Sequence, residues 1–276
     1  MSTIVITGGT DGIGRALAAQ HLRQGDTVVV IGRSEAKFES LAAEAPGGAA
    51  HFVAADLRLV RDTLRVLGEL RARHPVIDTL VLGAAFVRQR RVVTEEGFEH
   101  AFALYYLSRH ILAHGLAAEL RAAERPLVID LTVPGAAKGA IRWGDLQLSS
   151  GFSWRAANQQ SRRAAELSGL RLSAAVPYAL WGPANLVRTS LQGDTGRLTR
   201  LAASALRATV ATPVERAIRP ILALSAQPPA EPRLSAHRGT KRIPLTIGEA
   251  DHAEADRLHE ETRLLLAPFR TAAQDR

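Results

Sequence analysis

Thr7-Gly8-Gly9-Thr10-Asp11-Gly12-Ile13-Gly14-Arg15, preceded by the apolar run Ile4-Val5-Ile6, is the stretch on which the fold turns. It reads as a strand, a glycine turn and a helix start, because Ala16, Leu17, Ala18, Ala19, His21 and Leu22 continue at helical spacing. In such a turn the backbone N–H groups and the positive end of the helix dipole converge on one point, which suits a phosphate. Gly8 and Gly12 allow the chain to turn tightly and approach a pyrophosphate, and Gly14 allows the helix to pack closely on its strand. Ordinary strand-to-helix turns also use glycine, so the meaning of the loop rests on the residues after it.

The next apolar run, residues 27–31, ends at Gly32-Arg33-Ser34, roughly twenty residues past the loop, where an adenosine ribose meets the protein. An acid there would accept from the 2′-hydroxyl of NAD. Arg33 and Ser34 instead offer a cation and a hydroxyl to a 2′-phosphate, which points to NADP(H), and Arg15 adds a second cation. Residues 38–45 read as a helix, and 51–55 as a third strand followed by Asp56-Leu57. Residues 60–73 read as an amphipathic helix carrying Val60, Leu64, Leu67 and Leu70, and 77–82 as a fourth strand. This alternation predicts an α/β fold: a Rossmann-type doubly wound parallel sheet with helices on both faces, in a single domain over 1–276, binding its ligand beyond the carboxyl ends of the strands.

A chain of 276 residues with 46% hydrophobic content buries a substantial core. With no cysteine it has neither disulfides nor thiolate chemistry. No apolar run reaches the ~18 residues of a membrane span, and no charged-then-apolar leader precedes the first strand, so a cytoplasmic protein with no membrane partner is expected. The net charge of +8 comes from arginines scattered among acids and alanines, with only Lys37, Lys138 and Lys241 as lysines. No basic block is interleaved with aromatics, so a small anionic ligand accounts for the excess better than a nucleic acid does.

These residues resemble the short-chain dehydrogenases/reductases over most of the chain. Thr7-Gly8 with Gly12-Ile13-Gly14 is similar to the family's TGxxxGIG loop, and Asp56-Leu57 to the pair that contacts adenine. Residues 77–81 lead into the place of its NNAG motif. Thr94-Glu95-Glu96-Gly97-Phe98-Glu99, continuing through Phe102, Leu107 and Leu112, resembles the fourth helix of the retinol-dehydrogenase-like branch, and residues 255–262 resemble that branch's last helix, here expected over 251–266. The resemblance implies a nicotinamide cofactor held by Thr7, Gly8, Thr10, Asp11, Gly12, Ile13, Gly14, Arg15, Arg33, Ser34, Asp56, Leu57, Gly83 and Ala84. It implies a small-molecule substrate, and a homodimer or homotetramer built through the fourth and fifth helices.

The chemical positions depart from the family. Leu82-Gly83-Ala84-Ala85 stands for NNAG, Tyr105 falls on the asparagine of the proton relay, and the serine pair becomes Thr132-Val133. The family's acid is a tyrosine four residues before a lysine, one helical turn apart. Here Arg33, Pro134 and His237 stand four residues before the three lysines, so no such pair exists. If Gln160-Ser161 sets the register, the pair has become Asn158 and Arg162; counted back from a sixth strand over 170–176, it falls near Ser149 and Ser153. Neither register supplies an acid.

The replacement acids to consider are few. Tyr178 follows Pro177, where the end of strand six would bring its phenol to the mouth of the site; Tyr105, Thr132 and a buried Asp130 are the others. Trp181-Gly182-Pro183-Ala184-Asn185 with Thr189 resembles the family's substrate loop, roughly 177–210, in which a threonine binds the carboxamide. Trp143, Phe152, Trp154 and Trp181 lie in segments that wall the pocket, implying an apolar or aromatic substrate. His110 and His114 are spaced for one helix face, but no third ligand accompanies them and no metal is expected. The expected function is NADP(H)-dependent reduction of a ketone, aldehyde or enone, or the reverse oxidation, with non-standard proton delivery. The alternatives are an NADP-binding protein that catalyses a non-redox step, and one that is a non-catalytic partner.

Overall fold

A computed structural model of the chain describes residues 1–185, 187, 212–229, 231 and 233–274. Strands β1 (Thr3–Thr7), β2 (Thr27–Gly32), β3 (Ala50–Ala54), β4 (Thr79–Leu82), β5 (Leu127–Asp130), β6 (Tyr178–Gly182), β7 (Leu234–Arg238) and β8 (Lys241–Ile243) form one sheet in the order 3-2-1-4-5-6-7-8. Every neighbouring pair is parallel except β7–β8, which is antiparallel. The order reverses between β1 and β4, and a ligand crevice opens at such a point beyond the strand ends.

Helices α1 (Gly12–Arg23), α2 (Glu35–Glu44) and α3 (Val60–Arg73) alternate with the first strands. A continuous helical run, α4, begins at His100–Phe102, passes through a π-turn at Ala103–Leu107 and continues over Ser108–Gly115. After α5 (Ala117–Arg121) come the long α6 (Trp154–Leu172), the short α7 (Val214–Ala217) and α8 (Arg219–Ala226), and α9 (Glu249–Gln274). Two apolar cores lie on the two faces of the sheet. Alternation along β1 sends Val5 into one and Ile4 and Ile6 into the other.

Several expectations are corrected. The sixth strand is Tyr178–Gly182, not 170–176; residues up to Leu172 belong to α6. Tyr178 therefore starts the strand, opposite Val128, while Gly182-Pro183 leaves its carboxyl end. Past β6 the sheet is completed by β7 and the short β8. The last helix runs from Glu249 to Gln274, starting close to the expected 251 but continuing well past 266, and lies across α6 and α4. Arg163 of α6 pairs with Asp251 and Glu254, both at 2.5 Å, and the Tyr106 and Thr262 hydroxyls are 2.6 Å apart.

Candidate active site

The glycine loop forms a rigid cradle at the point where the sheet order reverses. Gly8 (φ +70°) and Gly12 (φ +53°) occupy the left-handed region that disfavours side chains. A Cβ on Gly14 would stand 2.4 Å from the Gly8 carbonyl oxygen, so only glycine lets α1 start this close to the turn. Thr7 Oγ1 accepts from Gly83 N at 2.9 Å and Ala84 N at 3.2 Å, tying the end of β1 to the segment after β4. Asp11 caps α1 by accepting from Gly12 N at 2.7 Å. The first-turn N–H groups of Ile13 and Gly14 have no carbonyl of their own helix within reach, which is what an anion site requires.

The ribose side is built from β2, α2 and the turn after β3. Arg33 is exposed at the end of β2, and Ser34 caps α2 by accepting from Lys37 N. Thr10 packs against Gly32, where a Cβ would come within 2.8 Å of its methyl group. Arg15, expected to add a second cation here, instead pairs with Glu44 at 2.8 Å, on the last turn of α2. The cation beside the loop is Lys37, whose Nζ lies 2.6 Å from Asp11 Oδ2. Asp56 is gripped by Arg58, with Nε 2.9 and 3.0 Å from its two oxygens; burial works against the charged carboxylate, but the Arg58 bonds prevail and its pKa is lowered. Leu57 beside it is buried.

At the chemical positions the structure separates the expected residues. Tyr178 is buried in the core and donates to Asp130 Oδ2 at 2.7 Å; burial first, and then Asp130, hold its pKa well above the ordinary value. It reaches neither the mouth of the site nor solvent. Tyr105 lies in the π-turn of α4, where its phenol oxygen accepts from Phe86 N at 3.0 Å, and burial raises its pKa too. Thr132 lies just past β5 and is buried. Ser153 caps α6 and Ser149 is bonded to Asp145, which leaves Asn158 and Arg162 one turn apart on α6. Arg162 donates from Nε to Val133 O at 2.6 Å and from Nη2 to Pro134 O at 3.1 Å, so it grips the segment after β5. Thr189 and most of the 177–210 segment lie outside the described residues. Of the expected pocket aromatics, Trp181 is buried in the core with Nε1 donating to Gly239 O at 3.0 Å, while Trp154 is half exposed.

Arg109 is the buried residue that sequence reasoning missed. Its guanidinium bonds Asp130 and donates to Ala84 O at 3.3 Å, joining the ends of β4 and β5 under the site. Burial raises the Asp130 pKa, opposed by Arg109 and the Tyr178 hydroxyl. A cation inside the largely apolar stretch 102–113 was the available signal, because a buried arginine needs a carboxylate. His110 and His114, read as helix-face residues, are joined by His259 of α9, the three rings lying 4.3 to 5.6 Å apart. No group of three or more acids and histidines among the described residues is arranged to hold a metal ion, and no helix among them is long and apolar enough to cross a membrane.

The short chain dehydrogenase family model matches residues 2–143, which span the cradle, the β4 segment, α4 and β5. The chain belongs to the short-chain dehydrogenase family. Among its relatives, a protein of Streptomyces sp. (strain C5) named as the daunorubicin C-13 ketoreductase DnrU is 37% identical over 122 residues, 43% of this chain and 42% of that one. Retinol dehydrogenase 13 of Homo sapiens is 28% identical over 179 residues, 62% of this chain and 53% of that one, which places this family member near the retinol-dehydrogenase-like branch. The chain spans about half the length of these relatives. A short-chain dehydrogenase from Sphingobium yanoikuyae, solved in complex with NADPH, shares the fold with a TM-score of 0.62 at 19% identity, over 97% of this chain and 95% of that one.

Proposed function

We propose that this short-chain dehydrogenase is an NADP(H)-dependent oxidoreductase that reduces a ketone, aldehyde or enone, or runs the reverse oxidation, on an apolar or aromatic small molecule. The observation that carries the reading is the intact cradle, braced by Thr7 and closed by Gly14, with Arg33 and the Ser34-capped helix at its ribose end. The ketoreductase and retinol dehydrogenase names of the relatives, and the NADPH bound by the Sphingobium protein, support it.

The residues present fit a dinucleotide: glycines where a Cβ would collide, first-turn amides for the pyrophosphate, Arg33 and Ser34 for a 2′-phosphate, and Asp56 and Leu57 for adenine. When bound, the nicotinamide supplies or accepts the hydride. The protein's part is to hold the site rigid: Arg109 joins the segments after β4 and β5 from below, and Arg162 fixes the carbonyls of Val133 and Pro134. Arg162 and Asn158 donate hydrogen bonds but do not deliver a proton near neutral pH. Protonation thus falls to solvent, to the Thr132 hydroxyl as a relay, or to the substrate, at the cost of the roughly 10²–10⁴-fold that a positioned acid contributes. Because both tyrosines are engaged in holding the fold, a second reading stands beside this one: the chain binds NADP and catalyses a non-redox step, or serves as a binding partner.

Calorimetric titration with NADPH and NADH, followed by a screen of NADPH oxidation against aromatic and polyketide-like ketones, enones and aldehydes, tests both. Tighter NADPH binding with turnover on a panel member supports the first reading. Binding without turnover across the panel favours the second. Arg33→Asp should reverse the nucleotide preference, and tighter NADH binding by the unaltered protein would sink the NADP assignment.

A further inference from the structure

The geometry points to Phe86 as the residue that positions Arg33 for the 2′-phosphate, an inference that rests on the NADP reading above. Phe86 follows the small residues Gly83-Ala84-Ala85 beyond β4, and its ring reaches across the end of β1 to Arg33 at the end of β2, the next strand but one. The Arg33 guanidinium lies over that ring, 5.6 Å from its centroid. Among the described residues no carboxylate forms an ion pair with Arg33; the Asp56 carboxylate, itself held by Arg58, attracts it from farther off, and the Phe86 ring is the group its guanidinium rests on. A guanidinium lying on an aromatic face keeps its N–H edge free, and that edge is the part which bonds a phosphate bidentately. An exposed arginine at a strand end would otherwise lose much rotamer freedom on binding, and the ring removes part of that cost beforehand.

The ring is itself held in place from α4. Phe86 N donates to Tyr105 Oη at 3.0 Å, and Phe86 O accepts from His100 Nε2 at 2.8 Å, so both polar groups of its backbone are bonded to side chains of one helix. The His100 ring meets the Phe86 ring edge-on, 6.0 Å between centroids. His100 is 1% exposed and its Nδ1 has no hydrogen-bond partner, which matches a neutral imidazole with its proton on the Nε2 that donates. A second cation, Arg88, stands 4.7 Å from the same centroid, so the ring gathers positive charge at the ribose end of the cradle. Tyr105, at the family's relay position, thus fixes the residue that orients the cofactor-reading arginine.

The test is calorimetric binding of NADPH and NADH at one fixed salt concentration by the full chain and by Phe86→Leu, Phe86→Tyr, Arg33→Ala and the double variant Phe86→Leu/Arg33→Ala. Phe86→Leu should weaken NADPH about two- to fivefold, as expected for loss of an exposed cation–π contact, and leave NADH unchanged. Phe86→Tyr, which keeps the π face, should bind NADPH like the unaltered chain, and the double variant should be no weaker than Arg33→Ala alone. Equal weakening of both nucleotides by Phe86→Leu, or additive losses in the double variant, would overturn the positioning role. If Arg33→Ala leaves the NADPH-to-NADH ratio unchanged, it is the NADP reading that fails, and this inference with it.

Discussion

Acidification should weaken this fold in part through the His114 imidazole. His114 is enclosed where α4, α6 and α9 meet: the His110 ring lies 4.3 Å away, the His259 ring 5.6 Å, and the Ser168 hydroxyl 3.1 Å from its Nε2. Burial, then the charges of His259 and Arg171, push its pKa from 6.5 down to about 4. Arg171 is itself paired with Asp256 of α9, and Glu260 lies close enough to sense His259. Between those two pH values the unfolded chain binds a proton that the folded one refuses, so stability is full above about pH 6.5 and falls as the pH drops towards 4. The gap is worth about 3 kcal/mol, or roughly 5–10 °C in Tm for a chain of this size. Urea unfolding of the unaltered protein and of His114→Gln, followed by far-UV circular dichroism at pH 7, 6, 5 and 4, isolates this contribution. Glutamine can still bond Ser168 but does not titrate. The unaltered protein should lose about 3 kcal/mol more than the variant across the range, and parallel curves would refute the assignment.

Tyr178→Phe should cost about 1.5–3 kcal/mol in urea unfolding, because it deletes a buried bond to a carboxylate, while leaving NADPH affinity and any turnover intact; loss of turnover at full stability would restore its phenol as the acid. Arg109→Leu should cost about 3–5 kcal/mol, since it strands the buried Asp130, measured in the same way. Gly14→Ala places a methyl 2.4 Å from the Gly8 carbonyl, so calorimetry should show NADPH binding lost or weakened at least ~10-fold, with circular dichroism reporting whether the domain persists. A homodimer or homotetramer cannot use the faces of α4 and α6 that α9 covers. Hydrogen exchange of the α4 and α6 amides beneath α9 should therefore be independent of protein concentration, and concentration-dependent protection confined to them would show that α9 gives way.

The first half of the fold was legible because each of its signals is local. The glycine loop, the β-branched run ending at Arg33 and the amphipathic helix with Val60, Leu67 and Leu70 need no partner to be recognised. Strand six was misplaced because Tyr178-Ala179-Leu180-Trp181-Gly182 is short and shows no apolar/polar alternation, so its strand-favouring Tyr178 and Trp181 do not set it apart from the apolar residues of 170–176. Pairing with β5 on one side and β7 on the other fixes where the strand lies, which is tertiary information. The joining of His259 to His110 and His114 left no trace in the sequence, since it depends on how α9 lies across α4. The register of α6 was within reach, because Ser153 caps the helix through Ala156 N and so sets Asn158 and Arg162 in the frame of Gln160-Ser161.

The substituted positions act together. Tyr105 and His100 hold Phe86, Arg109 holds Ala84 and Asp130, and Arg162 holds Val133 and Pro134. Polar side chains at and around the relay and acid positions of the resemblance are thus engaged with the backbone that walls the site. Among the described residues these positions retain hydrogen-bond donors and hold no group that titrates near neutrality. Both tyrosine phenols have raised pKa values, and Arg162, though burial lowers its pKa from 12.5, remains a cation at pH 7. Turnover of any substrate found should therefore lack the pH dependence that a lysine-assisted tyrosine imposes. A pH profile of kcat between 6 and 9 in deuterated and ordinary water checks this: the expected profile is flat, with a solvent isotope effect if water supplies the proton, and a sigmoidal profile with a midpoint in that range would show that the site contains an acid after all.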